Sequence, residues 1–272
     1  RQMCIRDRLA FALHHAVTHG MKRVIYIIPY TSIIEQNAEV FRNILGSGNV
    51  LEHHSGMEFD LSDGASPEEI RRALASENWD MPVVVTTAAR FFDSLYANRS
   101  SKCRKLHNLA NSVIIFDEAQ MLPLCHLRPC VAAMASLAEY VGSTLVLCTA
   151  TQPSLRDLLR TYAPGHTVME LCPQTEEIYD RFRRVTFRQA GVLEDDALTE
   201  RLSNHRQVLC VVNSRRAAQQ IFDRLPKEGC FHLSTLMIPT QRQAILEEIR
   251  QRLKDGEPCR VVSTSLIEAG VD

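Results

Sequence analysis

Apolar residues come along this chain in short unbroken runs, separated by longer stretches in which they recur every three or four positions. The runs predict strands at Arg23–Ile28, Val50–His53, Pro82–Thr86, Ser112–Asp117, Thr144–Cys148, Val185–Phe187, Gln207–Val212, Cys230–Leu233 and Cys259–Ser263. Runs that stay apolar instead of alternating suit parallel strands covered on both faces. The stretches between them predict helices at Leu9–Val17, Ile33–Leu45, Pro67–Ser76, Ala88–Tyr96, Leu127–Tyr140, Leu155–Tyr162, Asp195–Asn204, Arg215–Arg224 and Gln241–Lys254. Strands and helices in alternation indicate an α/β fold built on parallel sheets.

The pattern weakens across Ala163–Arg184, which is charged and punctuated by Pro164, Gly165 and Pro173. Two lobes are therefore expected, 9–165 and 184–272, joined by a linker over 166–183. Residues 1–8 suit neither a strand nor a helix start that leads into Leu9–Val17. They are a candidate non-native segment.

With 45% apolar and 23% charged residues, the 272-residue chain has the composition of a globular protein. Thirty-one basic against 32 acidic residues give a net charge of -1, so no basic surplus marks a nucleic-acid binder. A neutral protein can still carry a locally basic groove. No run approaches the roughly 18 apolar residues of a membrane span, and the start lacks a signal-peptide layout. No membrane association is expected. The nine cysteines read as free thiols in a reducing cytoplasm. Cys125 and Cys130 are the closest pair, but nothing follows at zinc spacing.

The strongest chemical signal is Val113-Ile114-Ile115-Phe116-Asp117-Glu118-Ala119-Gln120. The C-terminal edge of a parallel sheet faces the ligand crevice. Two adjacent carboxylates there give a nucleoside triphosphatase what it needs. Asp117 can hold Mg²⁺ through water, and Glu118 can orient and deprotonate the attacking water. A surface turn with two charges is the plain alternative, which the apolar strand before the pair makes weaker. A second strand, Leu145–Cys148, ends in Thr149-Ala150-Thr151, which alone is no more than a strand-end turn. A third run closes the chain as Val261-Val262-Ser263-Thr264-Ser265-Leu266-Ile267-Glu268-Ala269-Gly270-Val271-Asp272. Its glycine permits close backbone approach to a ligand, and Asp272 could accept hydrogen bonds from a sugar.

In this order the three runs resemble motifs of the superfamily 2 helicases, the DEAD/DEAH-box-like translocases. Pro29-Tyr30-Thr31-Ser32-Ile33-Ile34-Glu35-Gln36-Asn37 and Thr86-Thr87-Ala88-Ala89-Arg90-Phe91-Phe92 are similar to that group's nucleic-acid-contacting motifs in the first lobe. Val211-Val212-Asn213-Ser214 looks like the opening strand and loop of the second. Three further pieces narrow the resemblance: Val50–Ser55, Asp117-Glu118-Ala119-Gln120-Met121-Leu122-Pro123, and His232–Met237. These are similar to the CRISPR-associated helicase-nuclease of type I interference systems. Ile238-Pro239-Thr240-Gln241-Arg242 departs from that family's usual Cys-Pro and His.

The resemblance implies two RecA-like lobes, ATP and Mg²⁺ as cofactors, and translocation on single-stranded DNA under recruitment by a guide-RNA surveillance complex. An HD nuclease domain, fused or separate, is the implied partner. Carried over residue by residue, Asp117, Glu118 and Gln120 are catalytic, and Gly270 and Asp272 contact the nucleotide. Thr149 and Thr151 couple the lobes, while Pro29, Thr31, Thr86, Thr87, Arg90, Asn213, Ser214 and Thr264 contact nucleic acid. His53 and His54 are expected to pack, because neighbours on a strand point to opposite faces.

No glycine is followed directly by lysine. The phosphate-binding Gly-x-x-x-x-Gly-Lys-Ser/Thr loop is thus absent, and so is the arginine-finger motif expected after Asp272. The first lobe is expected to lack its phosphate-loop strand, leaving interior sheet edges unpaired, and the chain alone is expected to be inactive. Another superfamily 2 DNA or RNA helicase, or a non-catalytic nucleic-acid-binding module, are the competing readings.

Overall fold

The computed structural model describes residues 5–29, 31–55, 65–149, 155–172, 177, 180–181, 183–234 and 236–267. The chain divides into two compact units, Arg1–Pro173 and Gln174–Asp272.

The first unit runs α1 (Ile5–Thr18), β1 (Arg23–Ile28), α2 (Thr31–Leu45), β2 (Val50–His53), α3 (Pro67–Asn78), β3 (Val83–Thr87) and α4 (Ala88–Tyr96). The short helices α5 (Ser100–Cys103) and α6 (Leu106–Leu109) lead to β4 (Ser112–Phe116), α7 (Leu127–Val141), β5 (Thr144–Leu147) and α8 (Arg156–Tyr162). Its five strands form one parallel sheet in the order β2-β3-β1-β4-β5. The sheet is continuous. β1 and β4 each have a strand on both sides. The edges are β2 and β5.

Although the strand runs are apolar throughout, the pleat sorts them between two cores. Ile25, Ile27, Val84, Ile114 and Phe116 pack with Trp79, Phe91, Val131 and Met134 from α3's end, α4 and α7. Val24, Tyr26, Ile28, Val83, Val85, Val113 and Ile115 face Leu9, Ala12 and Ala16 of α1 and Ile34, Ala38 and Phe41 of α2. Burial on both faces is what excludes polar residues from these strands.

Helix boundaries follow local chemistry. Ser66 caps α3 in a reciprocal capping box with Glu69, and Pro67 fills the first turn. Gly142 ends α7 in the left-handed conformation, with φ 69°. The helix before β1 starts at Ile5, four residues ahead of the expected start. Residues 5–8 therefore join the fold, with Ile5 packing at the margin of a core.

The second unit runs α9 (Asp195–Ser203), β6 (Gln207–Val211), α10 (Arg215–Arg224), β7 (Cys230–Leu233), α11 (Pro239–Asp255) and β8 (Cys259–Ser263). Its parallel sheet has the order β6-β8-β7. Residues 185–187, expected as a strand, are irregular and exposed, Phe187 at 93%. Two apolar residues next to Arg184 and Arg188 offer too little surface to hold a strand. β6 also departs from expectation. Val208 and Cys210 pack against α9 and α10, whereas Leu209 and Val211 are 50% and 39% exposed. α11 packs over β7 and β8 and leaves that face of the edge strand open.

Gly229 enters β7 with φ +68°, and a Cβ there would lie 2.5 Å from the Pro258 carbonyl oxygen. Gly256 has a similar φ of +69° with open space around it. Gly256→Ala should thus lose only the backbone penalty, about 1–2 kcal/mol. Gly229→Ala should lose clearly more, as read by urea denaturation of both variants.

Candidate functional site

Phe116 leads out of β4 into a chain that the neighbouring strands continue to hold. The Asp117 N–H donates to the Ile27 carbonyl, the Cys148 N–H to Phe116, and the Ala119 N–H to Cys148, each at 2.9 Å. Asp117 and Glu118 are thereby set at the C-terminal edge of the sheet, the ligand edge of such folds. Glu118 takes up a left-handed backbone, φ 52° and ψ 49°, costing of order 1–3 kcal/mol for a non-glycine residue. That conformation turns its carboxylate toward Gln120, whose Nε2 donates to Glu118 Oε2 at 2.5 Å. The Thr149 hydroxyl donates to Gln120 Oε1 at 2.5 Å. A glutamine between a carboxylate and a hydroxyl can make both bonds in only one amide orientation. The chain Glu118–Gln120–Thr149 therefore has a fixed polarity.

Asp117 is held by a different set. The Tyr26 hydroxyl donates to its Oδ2 at 2.9 Å, the Glu118 N–H to its Oδ1 at 3.0 Å, and the Arg8 guanidinium pairs with the same Oδ1. Arg8 also reaches the Tyr26 oxygen at 3.4 Å. Burial, and after it the Asp117 carboxylate, push the Tyr26 phenol above its ordinary pKa, so it remains a donor. Burial likewise pushes the Cys148 thiol up to about 11, Asp117 and Glu118 adding to the effect and Arg8 opposing it. Cys148 thus stays neutral beside the pair. Sequence reasoning missed Tyr26 and Arg8. Tyr26 left a signal, as the one hydroxyl-bearing residue in an otherwise aliphatic run. Arg8 left none, lying in a segment set aside as a candidate non-native one.

A carboxylate offers about four acceptor positions. Three on Asp117 are taken, and one on Oδ2 remains. That position, with Glu118 beside it, suits a hydrated hard cation. Among the described residues a second cluster, Glu35, Glu52 and His54, brings ligand atoms within 4.8 Å of one another. Glu52 there already accepts from Arg42 at 2.5 Å and meets His54 Nε2 at 3.0 Å, a buried ion-pair group. His53 and His54 do point apart. His53 turns to Trp79, and His54 to Glu52.

The sequence profile of the DEAD/DEAH box helicases matches residues 9–158, more than half of the chain. The chain belongs to the DEAD/DEAH box helicase family. The helicase is 29% identical over 153 residues to the CRISPR-associated nuclease/helicase Cas3 of Haloferax volcanii, a match covering 51% of this chain and 16% of that protein. The T. fusca Cas3–ATP crystal structure is similar in fold, with a TM-score of 0.67 at 16% identity over 98% of this chain and 37% of that one. S. cerevisiae Dbp5 bound to RNA and ADP BeF3 gives 0.53 at 18% identity, over 97% and 64%. The helicase chain thus spans about a sixth of the curated relative and little more than a third of the Cas3 structure.

The remaining expected residues of the helicase fall in two places. In the first unit Thr86 and Thr87 end β3. The Thr87 hydroxyl caps α4 by accepting from the Arg90 N–H at 3.1 Å, and the Thr86 hydroxyl donates to the His53 carbonyl at 2.8 Å. Pro29, half-buried, leads into α2. In the second unit Asn213, Ser214 and Thr264 line one pocket of about 680 Å³ with Arg215, Arg216 and Ser265. Ser214 caps α10 by accepting from the Ala217 N–H, and Thr264 Oγ1 is buried with no hydrogen-bond partner. Thr151, Gly270, Asp272 and the Thr31 side chain lie outside the described residues.

Beside Thr86, His53 is held neutral. Burial first, then Lys105, Arg90 and His54, lower its pKa from 6.5 to about 4. Because the folded-state value is the depressed one, the unfolded chain takes up the proton first as pH falls. The associated stability is full above pH 6.5 and is lost toward pH 4. Urea denaturation over that window should show a smaller loss for His53→Gln than for the wild type.

Proposed function

We propose that this helicase chain is the motor part of a CRISPR type I interference helicase, using ATP hydrolysis to translocate on single-stranded DNA. The observation that carries it is the hydrogen-bonded chain from Glu118 through Gln120 to Thr149. It ties a candidate general base to the end of a neighbouring strand, which a plain surface turn would not need. The likeness to Cas3 supplies the biological setting, with a guide-RNA surveillance complex as recruiter and an HD nuclease, fused or separate, as partner.

In this reading Asp117 would hold, through water, the Mg²⁺ bound with ATP, which would supply charge neutralisation at the phosphates. Glu118 accepts a proton from the attacking water, and Gln120 holds the Glu118 carboxylate in place. Thr149, with Thr151, passes the state of the nucleotide onward. Gly270 and Asp272 contact the nucleotide. Arg8 sets a condition on the metal: its positive charge lies on Asp117 Oδ1, so it and a cation compete for one carboxylate. Pro29, Thr31, Thr86, Thr87 and Arg90 bind nucleic-acid phosphates in the first unit. In the second, Asn213, Ser214 and Thr264 do so, where the unpartnered Thr264 hydroxyl and two arginines at a helix start favour an oxyanion.

The chain by itself, with no Gly-Lys loop in its sequence, should turn over ATP at background rate. Turnover by the purified chain that Glu118→Gln abolishes would refute this. In the full-length protein Glu118→Gln should bind ATP normally and lose hydrolysis by at least about 10²-fold, since it removes only the base. Asp117→Asn should instead weaken Mg²⁺-dependent nucleotide binding. Equilibrium binding and steady-state ATPase separate the two, and wild-type binding and hydrolysis by both would overturn the assignment of Asp117 and Glu118.

Thr149→Ala combined with Thr151→Ala should leave DNA-stimulated ATPase largely intact while strand displacement collapses. Arg90→Ala should weaken single-strand binding and shallow its salt dependence, by a slope of about 0.7 per phosphate lost. Filter binding across salt concentrations reads the slope, and an unchanged slope would remove Arg90 from the interface.

A further inference from the structure

We propose that Glu35, Glu52 and His54 form a binding site for one divalent transition-metal ion of the zinc class, which would tie α2 to the end of β2. The site stands apart from the carboxylates assigned to ATP and does not depend on that reading.

The periods of strand and helix bring the three residues together. Glu52 and His54 are two positions apart at the end of β2, so their side chains leave the same face. His53, between them, turns the other way to Trp79. Val50 shares the face of Glu52 and packs in one core with Ile34, Ala38 and Phe41 of α2. Glu35 and Arg42 are seven residues apart on that helix, about two turns, and both reach the end of the strand.

Arg42 takes Glu52 Oε2 at 2.5 Å, while Oε1 lies 3.0 Å from His54 Nε2. Glu35 completes the group, with the three ligand atoms within 4.8 Å of one another. Around a zinc ion with bonds of about 2.0–2.2 Å, neighbouring ligand atoms stand about 3.0–3.6 Å apart. The pair formed by Glu52 and His54 already has that spacing. Glu35 is exposed and needs a shift of about 1 Å, which a change of side-chain torsion supplies.

Without an ion, the contact between Nε2 and Oε1 must hold a proton, because both atoms otherwise present lone pairs. A metal ion would take over that role, accepting from both. Glu52 and His54 are each more than nine-tenths buried, so two of the three ligands are fixed by packing. Arg42 would orient the ligating carboxylate from behind, as outer-shell donors do. Arg42 and Glu52 balance each other in charge. Glu35 is then a further carboxylate that, among the described residues, pairs with no cation.

The donor set selects the ion. One imidazole nitrogen with carboxylate oxygens suits zinc and its neighbours. Mg²⁺ favours oxygen ligands in a near-ideal octahedron and should not compete. In the sheet, β3 and β1 separate β2 from β4, so this ion is a different one from the Mg²⁺ of the ATP site.

The full chain, freed of metal and kept reduced, is titrated with Zn²⁺ by calorimetry and with Co²⁺ by visible absorption, which reports the ligands. We expect one Zn²⁺ equivalent that excess Mg²⁺ does not displace. Glu35→Gln, at an exposed position, should weaken that equivalent at least about tenfold, and His54→Ala should abolish it. The Co²⁺ spectrum lost in Glu35→Gln should lack a thiolate charge-transfer band, which separates this site from the cysteines. No Zn²⁺ binding, or binding unchanged in both variants, would overturn the site. A thiolate band in the lost spectrum would do the same, and displacement by Mg²⁺ would overturn the zinc class. Should His54→Ala fail to fold, Glu35→Gln and its Co²⁺ spectrum decide.

Discussion

The first unit depends on β4 lying between β1 and β5 with its ladder running past its own end. Hydrogen bonds from Asp117 to Ile27 and from Ala119 to Cys148 hold the two carboxylates on backbone as rigid as the strand itself. Flanking strands on both sides exclude water from the ladder, and the apolar faces of Ile114 and Phe116 against Phe91, Val131 and Met134 exclude it from below. A chemical group on such a support keeps its direction. Because every strand is parallel, His53, Thr86 and Asp117 all emerge along one edge, and one constraint of topology gathers chemistry from residues 64 positions apart.

Much of this was legible beforehand, for identifiable reasons. Four strands, Arg23–Ile28, Val50–His53, Cys230–Leu233 and Cys259–Ser263, run where the apolar pattern put them, since burial on both sides leaves polar residues no place. Helices with a side-chain cap at the start, such as α4 and α10, also matched to the residue. The pattern failed where burial is one-sided or absent. Leu209 and Val211 read like core residues and lie open, because the sequence of a strand does not reveal whether it stands at an edge. Val185 and Phe187 read like a strand, but three residues carry no information about a partner.

The site was legible only where polar residues follow an apolar run. Asp117, Glu118, Gln120 and Thr149 stand out as polar groups after apolar runs, and they meet. Tyr26 and Arg8 reach Asp117 from 91 and 109 positions away, and no local pattern announces contacts of that range. The same holds for Trp79, whose neighbours His53, Phe91 and Lys105 are brought to it by α3, α4 and the turn before α6. Arg8 also gives Asp117 two alternative partners, a guanidinium and a metal ion. A carboxylate so placed can be kept satisfied when no cation is near, which avoids leaving a nearly buried negative charge unpaired.

The open face of β6 has a consequence of its own. An edge strand offers unpaired backbone groups to any extended chain, and natural sheets blunt that offer with lysines, prolines or bulges. β6 reads Gln-Val-Leu-Cys-Val and carries none of them. With two branched aliphatic residues turned outward, it is the segment from which self-association of the isolated chain would begin. A single lysine at position 209 would act as a gatekeeper there without touching Val208 or Cys210 on the packed side.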